Sequence, residues 1–153
     1  MIEICTEISK PILLIGGTED QTMGEAISDK SNGVVINGCG RFSIAESAWL
    51  LQQSELVITH DTGMMHIAAA FNKKIISIWG NTIPEFGMYP YLLENQLSYI
   101  AEVEGLSCRP CSKIGYNKCP KSHFRCMEEQ DVNEIIEKAR EFLNGEINFQ
   151  KVP

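Results

Sequence analysis

Short apolar runs of three to five residues recur along the chain, separated by stretches that carry most of the polar and charged residues. An uninterrupted apolar run of this length is typical of a strand that is buried on both faces of a parallel sheet. The predicted strands are Pro11–Ile15, Val34–Ile36, Leu56–Thr59, Ile75–Trp79 and Leu97–Ala101.

Several polar stretches have apolar residues three or four positions apart, which is the spacing of an amphipathic helix. Ser43 is predicted to cap one of these helices, because Glu46 follows three residues later as in a capping box. Strands and helices that alternate over short connections predict an α/β fold, a Rossmann-like doubly wound parallel sheet covered by helices on both faces. The predicted helices are 19–30, 43–53, Gly63–Phe71 and Val132–Leu143.

The chain of 153 residues has the length of one domain. Residues 1–9 resemble the end of a helix, whereas a doubly wound domain opens with a strand and a phosphate-facing loop. We therefore expect the first strand and a partner domain to lie before Met1, so that the chain is a fragment. The predicted domain covers 1–143 and includes a cysteine-rich segment at 105–127, and 144–153 form a C-terminal tail.

Composition and charge exclude several classes of protein. The net charge of −7 argues against a nucleic-acid-binding surface, which requires a basic field. No apolar run approaches the roughly 18 residues of a membrane span. The first ten residues have acidic side chains and no basic region, so they do not form a signal peptide. A cytosolic, reducing setting is therefore expected for the cysteines.

The sharpest candidate site follows the third predicted strand. Open parallel sheets bind ligands at the carboxyl ends of their strands, and a helix start favours a phosphate. Gly63 would let a ligand approach the backbone, Thr62 and His66 could donate hydrogen bonds, and Asp61 is predicted as the N-cap. An ordinary capped helix start with a structural histidine is the alternative. The candidate residues are Asp61, Thr62, Gly63, Met64 and His66.

The cysteine-rich segment has Cys108 and Cys111 at the spacing of zinc ligands, and Cys119 and Cys126 could complete a tetrahedral site. His123 is a further candidate ligand. The separation of Cys119 from Cys126 is wider than that of an ordinary zinc knuckle, so a metal is not favoured. Disulfides and reduced cysteines that pack as small apolar groups remain alternatives. In each case the role would be structural, and no cofactor is expected.

Two motifs together resemble glycosyltransferase family 9, the family of the ADP-heptose:lipopolysaccharide heptosyltransferases. The stretches 14–17 and 42–51 and the cysteine pattern also fit this family, so the resemblance covers nearly the whole chain. The motif residues are Asp61, Thr62, Gly63, His66, Ala68 and Ala70, followed by Trp79, Gly80, Asn81, Thr82, Pro84 and Pro90.

The resemblance implies the C-terminal, donor-binding half of a two-domain GT-B glycosyltransferase. Thr62, Gly63 and His66 would face the donor diphosphate, with Asp61 beside them. Phe42 would lie against the base, although simple core packing explains it equally well. The catalytic base would lie in the N-terminal domain, so no residue here is assigned as catalytic. The residues implied to lie near the adenosine are Gly16, Gly17 and Glu19, with Glu19 on the ribose hydroxyls.

The implied reaction moves heptose from ADP-heptose, or another sugar from a related nucleotide, onto a hydroxyl of the lipopolysaccharide core. The anomeric carbon would invert through an oxocarbenium-like transition state. The implied partners are the donor, the lipopolysaccharide acceptor and the N-terminal acceptor domain of the same enzyme. The implied location is the cytoplasm, with peripheral attachment at the inner membrane. A non-catalytic nucleotide-binding module and a zinc-stapled interaction module are the alternatives from other classes.

Overall fold

The structure is a computed structural model that describes residues 1–8, 10–93 and 97–145. The chain divides into two compact units, Met1–Gln53 and Ser54–Pro153. The predicted C-terminal tail lies outside the described residues from position 146 onward. Within the described ranges, no helix is long and apolar enough to cross a membrane.

The first unit contains a parallel pair of strands joined through a helix. Its elements are α1 (Ile2–Glu7), β1 (Ile12–Leu14), α2 (Gln21–Asp29), β2 (Val35–Asn37) and α3 (Ile44–Gln53). Ile12 of β1 lies beside Val35 of β2 in the parallel register. The α2 helix is held against β2, because the Ser28 hydroxyl donates to the Val35 carbonyl at 2.8 Å. The capping box at Ser43 and Glu46 is confirmed, with hydrogen bonds in both directions.

The second unit is built on a three-stranded parallel sheet with the order β3-β4-β5. Its elements are β3 (Leu56–His60), α4 (Gly63–Ala70), β4 (Lys74–Trp79), β5 (Ser98–Glu102), α5 (Arg125–Glu128) and α6 (Val132–Asn144). The central strand β4 is the most buried, and Ile75, Ile76 and Trp79 are fully inaccessible to solvent. The register places His60 beside Ile78, so the carboxyl ends of β3 and β4 lie next to each other.

The predicted α/β fold is confirmed, and every strand pair is parallel. The strands pair as two groups, β1-β2 and β3-β4-β5. The strand β1 is one residue shorter at each end than predicted, and β5 lies one position further along the chain than predicted. The short helix α5 was not predicted, because its four residues lie among cysteines and basic residues that show no helical period.

Candidate functional site

The turn between β3 and α4 lies at the carboxyl end of a parallel sheet, which is the edge where open α/β sheets bind ligands. The strand ends at His60, Asp61 and Thr62 form the turn, and the helix begins at Gly63. The first amide groups of a helix have no partner within the helix, and the helix dipole favours an anion beside them. The turn therefore offers the backbone donors that a phosphate group requires.

The N-cap residue of α4 is Thr62, and the prediction of Asp61 in that role is wrong. Within the described chain the Thr62 side chain makes no capping hydrogen bond. Its hydroxyl instead lies 3.2 Å from the hydroxyl of Thr59. The Asp61 carboxylate accepts a hydrogen bond from the Thr82 hydroxyl at 3.5 Å, and Thr82 follows the neighbouring strand. Asp61 is thus engaged across the edge of the sheet, and no side chain of the described residues caps the start of α4.

The space over the first turn of α4 is open. A Cβ atom added to Gly63 would meet no atom of the described residues within 4 Å. The backbone of Gly63 is also outside the left-handed region, so neither packing nor conformation requires glycine there. Thr62 and His66 are exposed and Met64 is half-buried, whereas Met65 is fully buried and anchors the helix. The candidate residues of this turn therefore adjoin a surface that is open to solvent.

Two residues that were not predicted as site residues are linked to this turn by hydrogen bonds, Thr82 directly and Arg109 through Thr82. Thr82 contacts Asp61 through its hydroxyl, and its carbonyl accepts a hydrogen bond from Arg109 at 3.0 Å. Arg109 also pairs with Glu102, the last residue of β5, at 2.6 Å. Thr82 carried a signal, because it belongs to the second motif of the resemblance. Arg109 carried none, since its partners lie up to 27 positions away along the chain.

The remaining predicted site residues belong to the first unit and meet at the carboxyl ends of β1 and β2. The Gly16 carbonyl accepts a hydrogen bond from the Gly40 amide at 2.8 Å, which joins the two loops. Glu19 folds back over Gly17, so that a Cβ atom on Gly17 would collide with its carboxylate. The Phe42 ring lies against Gly38, where an added Cβ atom would be 2.7 Å from it. Phe42 remains 36% exposed, so it is not a fully packed core residue.

The cysteine-rich segment forms a separate cluster in the second unit. The Cys108 sulfur lies 3.8 Å from Nε2 of His123, and the Cys111 thiol contacts the Cys108 carbonyl at 3.5 Å. All six cysteines of the chain are free thiols. Among the described residues, no group of three or more His, Cys, Asp or Glu side chains has the arrangement of metal ligands. An open groove of about 500 Å³ is lined by Cys108, Pro110, Cys111, Tyr116, Pro120 and Lys121.

The thiols of this cluster differ in acidity. Backbone amides, above all that of Phe124, donate to the Cys119 sulfur and lower its pKa. Burial raises the pKa of Cys111, and the nearby thiols of Cys108 and Cys119 raise it further. Burial likewise raises the pKa of the Cys126 thiol. Cys119 therefore reaches the thiolate form at a lower pH than Cys111 or Cys126, because only the thiolate is stabilised by these amides.

The family to which these elements belong follows from a comparison with known proteins. A family model described as glycosyltransferase family 9 (heptosyltransferase) matches residues 2–117. The chain belongs to glycosyltransferase family 9. The predicted family membership is thereby confirmed, and the match includes both groups of candidate site residues.

Several heptosyltransferases are similar to this chain over part of their length. Lipooligosaccharide heptosyltransferase 2 of Haemophilus influenzae is 31% identical over 98 residues, covering 61% of this chain and 28% of that protein. Lipooligosaccharide heptosyltransferase 2 of Campylobacter jejuni serotype O:2 is 29% identical over 142 residues, covering 90% of this chain and 42% of that protein. The chain thus spans less than half the length of these curated relatives.

Two solved structures share the fold. The ADP-heptose lps heptosyltransferase II of E. coli superposes with a TM-score of 0.71 at 18% identity, over 95% of this chain and 40% of that one. The family 9 glycosyl transferase of Veillonella parvula superposes with a TM-score of 0.71 at 16% identity, over 94% and 40% of the two chains. At this identity the likeness shows the Rossmann-like fold, which agrees with the parallel pairing of the strands.

Proposed function

We propose that this family 9 chain binds the nucleoside diphosphate of a sugar donor, ADP-heptose, for transfer of heptose to the lipopolysaccharide core. The solved E. coli relative is described as an ADP-heptose lps heptosyltransferase, which supports this choice of donor. The chain would be the C-terminal, donor-binding half of a GT-B enzyme. The acceptor and the catalytic base would be supplied by an N-terminal domain of the same enzyme.

The observation that carries the proposal is the uncapped start of α4 at the carboxyl end of β3. Thr62 occupies the N-cap position without a capping hydrogen bond in the described chain, and the space over Gly63 is clear to 4 Å. Backbone amides at such a position bind phosphate oxygens without a bound cation, because the helix dipole and the free donors act together. The exposed His66 lies on the same turn of the helix.

The same donors explain how this half would assist the reaction. As the bond between the anomeric carbon and the diphosphate breaks, negative charge grows on the leaving diphosphate. Donors that are already oriented toward that charge stabilise the transition state more than the ground state. The backbone amides need no reorientation for this, whereas the Thr62 hydroxyl would turn its proton from the Thr59 hydroxyl, 3.2 Å away, toward the diphosphate. Asp61 would order the turn through Thr82 and would not contact the phosphates.

A nucleoside-binding role is proposed for the group in the first unit. Glu19 would accept hydrogen bonds from ribose hydroxyls, since its carboxylate is exposed and lies over Gly17. Phe42 would stack on the base, since part of its ring faces solvent. Gly16 and Gly17 would lie near the nucleoside, with the Glu19 carboxylate over Gly17. The enzyme would work in the cytoplasm and at the inner membrane, where a lipid-linked acceptor is presented.

Calorimetric titration of the chain with ADP, UDP and GDP tests the proposal. We expect selective binding of ADP, weakened about tenfold or more by Thr62→Val combined with His66→Ala. A hydrogen bond to a charged group contributes about 1.5 to 3 kcal/mol, which corresponds to about tenfold or more in affinity. Thr6→Val is the matched control, because Thr6 is an exposed threonine whose hydroxyl donates to the Glu3 carbonyl within α1.

The outcomes separate the parts of the proposal. Binding of UDP or GDP in place of ADP would retain the nucleoside-diphosphate site and change the donor. Selective ADP binding that survives the Thr62 and His66 substitutions would remove the diphosphate role from the start of α4. Failure of all three nucleotides to bind would reject donor binding by this chain.

A further inference from the structure

The end of β4 and the loop that follows it are held by the cysteine-rich segment and by the turn that precedes α6. The Trp79 carbonyl accepts a hydrogen bond from Gln130 Nε2 at 3.0 Å. The Asn81 carbonyl accepts one from the Cys111 amide at 2.9 Å, and Asn81 Nδ2 donates to the Tyr116 carbonyl at 2.7 Å. Trp79 and Asn81 are thus fixed by partners 30 or more positions away. The cysteine-rich segment is therefore part of the framework at this edge of the sheet.

Arg109 makes the last of these attachments. Its Nη2 donates to the Thr82 carbonyl at 3.0 Å and to the Glu102 carboxylate at 2.6 Å. Its Nη1 donates to the Val103 carbonyl at 2.9 Å. The side chain is only 6% exposed, and Nε has no partner among the described residues. A buried guanidinium is costly unless it is paired, so its retention here reflects the contacts that its planar fork makes.

Thr82 links Arg109 to the start of α4. Arg109 fixes the carbonyl of Thr82, and the hydroxyl of the same residue donates to Asp61 at 3.5 Å. Asp61 immediately precedes Thr62, the N-cap residue of the helix. Displacement of the Thr82 backbone would therefore move the hydroxyl that restrains Asp61, and with it the turn. Within the part of the chain that the structure describes, Arg109 bonds to Thr82, Glu102 and Val103, so any effect on that turn must pass through Thr82.

We propose that Arg109 is a positioning residue for the diphosphate site, acting through Thr82 and Asp61 on the first turn of α4. The proposal rests on the proposed function for its ligand and goes beyond it by giving the cysteine-rich segment a role in the site. A misplacement of about 1 Å in a binding group can reduce activity about 100-fold. Lysine would keep the charge but could not make three separate contacts from one planar group.

A double-mutant cycle on ADP affinity tests this path, using Arg109→Lys and Thr82→Val alone and together. Each single change is expected to weaken ADP binding about 10-fold, and the pair about as much as either alone, because both break one path. Arg125→Lys is the matched control. It lies in the same segment and has its own ion pair with Glu129, but it is exposed. We expect it to leave ADP affinity unchanged.

Backbone amide chemical shifts give a second reading that does not depend on nucleotide binding. Arg109→Lys should shift the amide resonances of Thr82, Asp61, Thr62 and Gly63, and Arg125→Lys should not. If Arg109 has only a structural role, Arg109→Lys should lower the melting temperature but leave the ADP affinity of the folded protein and these resonances unchanged. That result would overturn the proposal. Additive losses in the cycle would also overturn it.

The two proposals can fail separately. If the wild-type chain binds no nucleoside diphosphate, the proposed function fails, and the amide shifts still decide whether Arg109 orders the turn. If the wild-type chain binds ADP and Arg109→Lys binds it equally well with unchanged shifts, only the role of Arg109 fails. If Arg109→Lys does not fold, Thr82→Val is measured in its place. Unaltered amide shifts at Asp61–Gly63 in that variant would show that Thr82 does not position the turn, and the proposal would fail.

Discussion

The helices α3 and α4 begin in different ways, although both follow a strand of a parallel pair. At the start of α3, the Ser43 hydroxyl accepts from the Glu46 amide at 3.3 Å, and the Glu46 carboxylate accepts from the Ser43 amide at 2.8 Å. At the start of α4, Thr62 makes no such bond within the described chain. The chain satisfies one helix start with its own side chains and leaves the other available.

The glycines near the two helix starts also differ in whether the protein fills the space beside them. A Cβ atom on Gly38 would lie 2.8 Å from the Leu14 carbonyl oxygen and 2.7 Å from the Phe42 ring. A Cβ atom on Gly63 would meet nothing among the described residues within 4 Å. Local packing therefore explains Gly38 and leaves Gly63 unexplained. The difference teaches that a glycine beside a strand end indicates a ligand only where the protein itself does not fill the space.

Among the variants that test this contrast, Gly38→Ala is expected to have the largest effect, a loss of stability. The added methyl group would collide with a backbone oxygen, which has no freedom to move because the Gly38 amide donates to the same Leu14 carbonyl at 3.0 Å. Overpacking of this kind costs about 1 to 3 kcal/mol in the free energy of unfolding. Urea denaturation would measure the loss. A variant as stable as the wild type would show that packing does not select glycine at this position.

Gly63→Ala should not destabilise the fold, and its main effect should be on ADP affinity. We expect this effect to be smaller than the stability loss in Gly38→Ala. The methyl group enters open space at a helix start, and the loss of glycine's freedom in the unfolded chain stabilises by about 0.4 to 1 kcal/mol. Affinity for ADP should fall about tenfold, or about 1.4 kcal/mol, because the methyl group occupies the space that a phosphate would enter. Urea denaturation and calorimetry measure the two quantities. Unchanged ADP affinity would contradict the ligand explanation of Gly63.

The sequence predicted those features whose causes are local. The capping box at Ser43 is set by two residues three positions apart, and the apolar run at Ile75–Trp79 needs no partner to be recognised as a buried strand. The prediction of a helix after the third strand was confirmed for the same reason. These features depend on period and propensity, which a single sequence carries.

The features that the sequence did not predict depend on distant contacts. Asp61 was predicted as the N-cap because a carboxylate beside a phosphate is repulsive and aspartate is a common N-cap residue. The structure instead engages its carboxylate with Thr82, 21 positions away. The contact of Arg109 with Thr82 spans 27 positions and has no local pattern. Such contacts are decided by the pairing of strands, which brings together residues that periodicity treats as unrelated.

The smallest effect is expected at the closed helix start, where Glu46→Gln should alter the pH dependence of stability. Hydrogen bonds from the backbone and hydroxyl of Ser43 lower the pKa of Glu46 from its ordinary 4.5. A carboxyl whose pKa is lower in the folded state stabilises above its unfolded-state pKa and loses that contribution as the pH falls through the folded-state pKa. The stability difference between wild type and Glu46→Gln should therefore be constant near neutral pH and disappear in acid, below about 4.5.

Urea denaturation of both proteins over this pH range measures that difference, with Glu25→Gln, at an exposed position on α2, as the control for removal of an acidic charge. Because the Glu46 carboxylate already occupies the start of α3, its replacement should leave ADP affinity unchanged. A difference that persists at low pH would show that the charge of Glu46 does not stabilise this helix start. Reduced ADP affinity in Glu46→Gln would contradict the comparison of the two helices. It would show that the capped start of α3 also affects ligand binding.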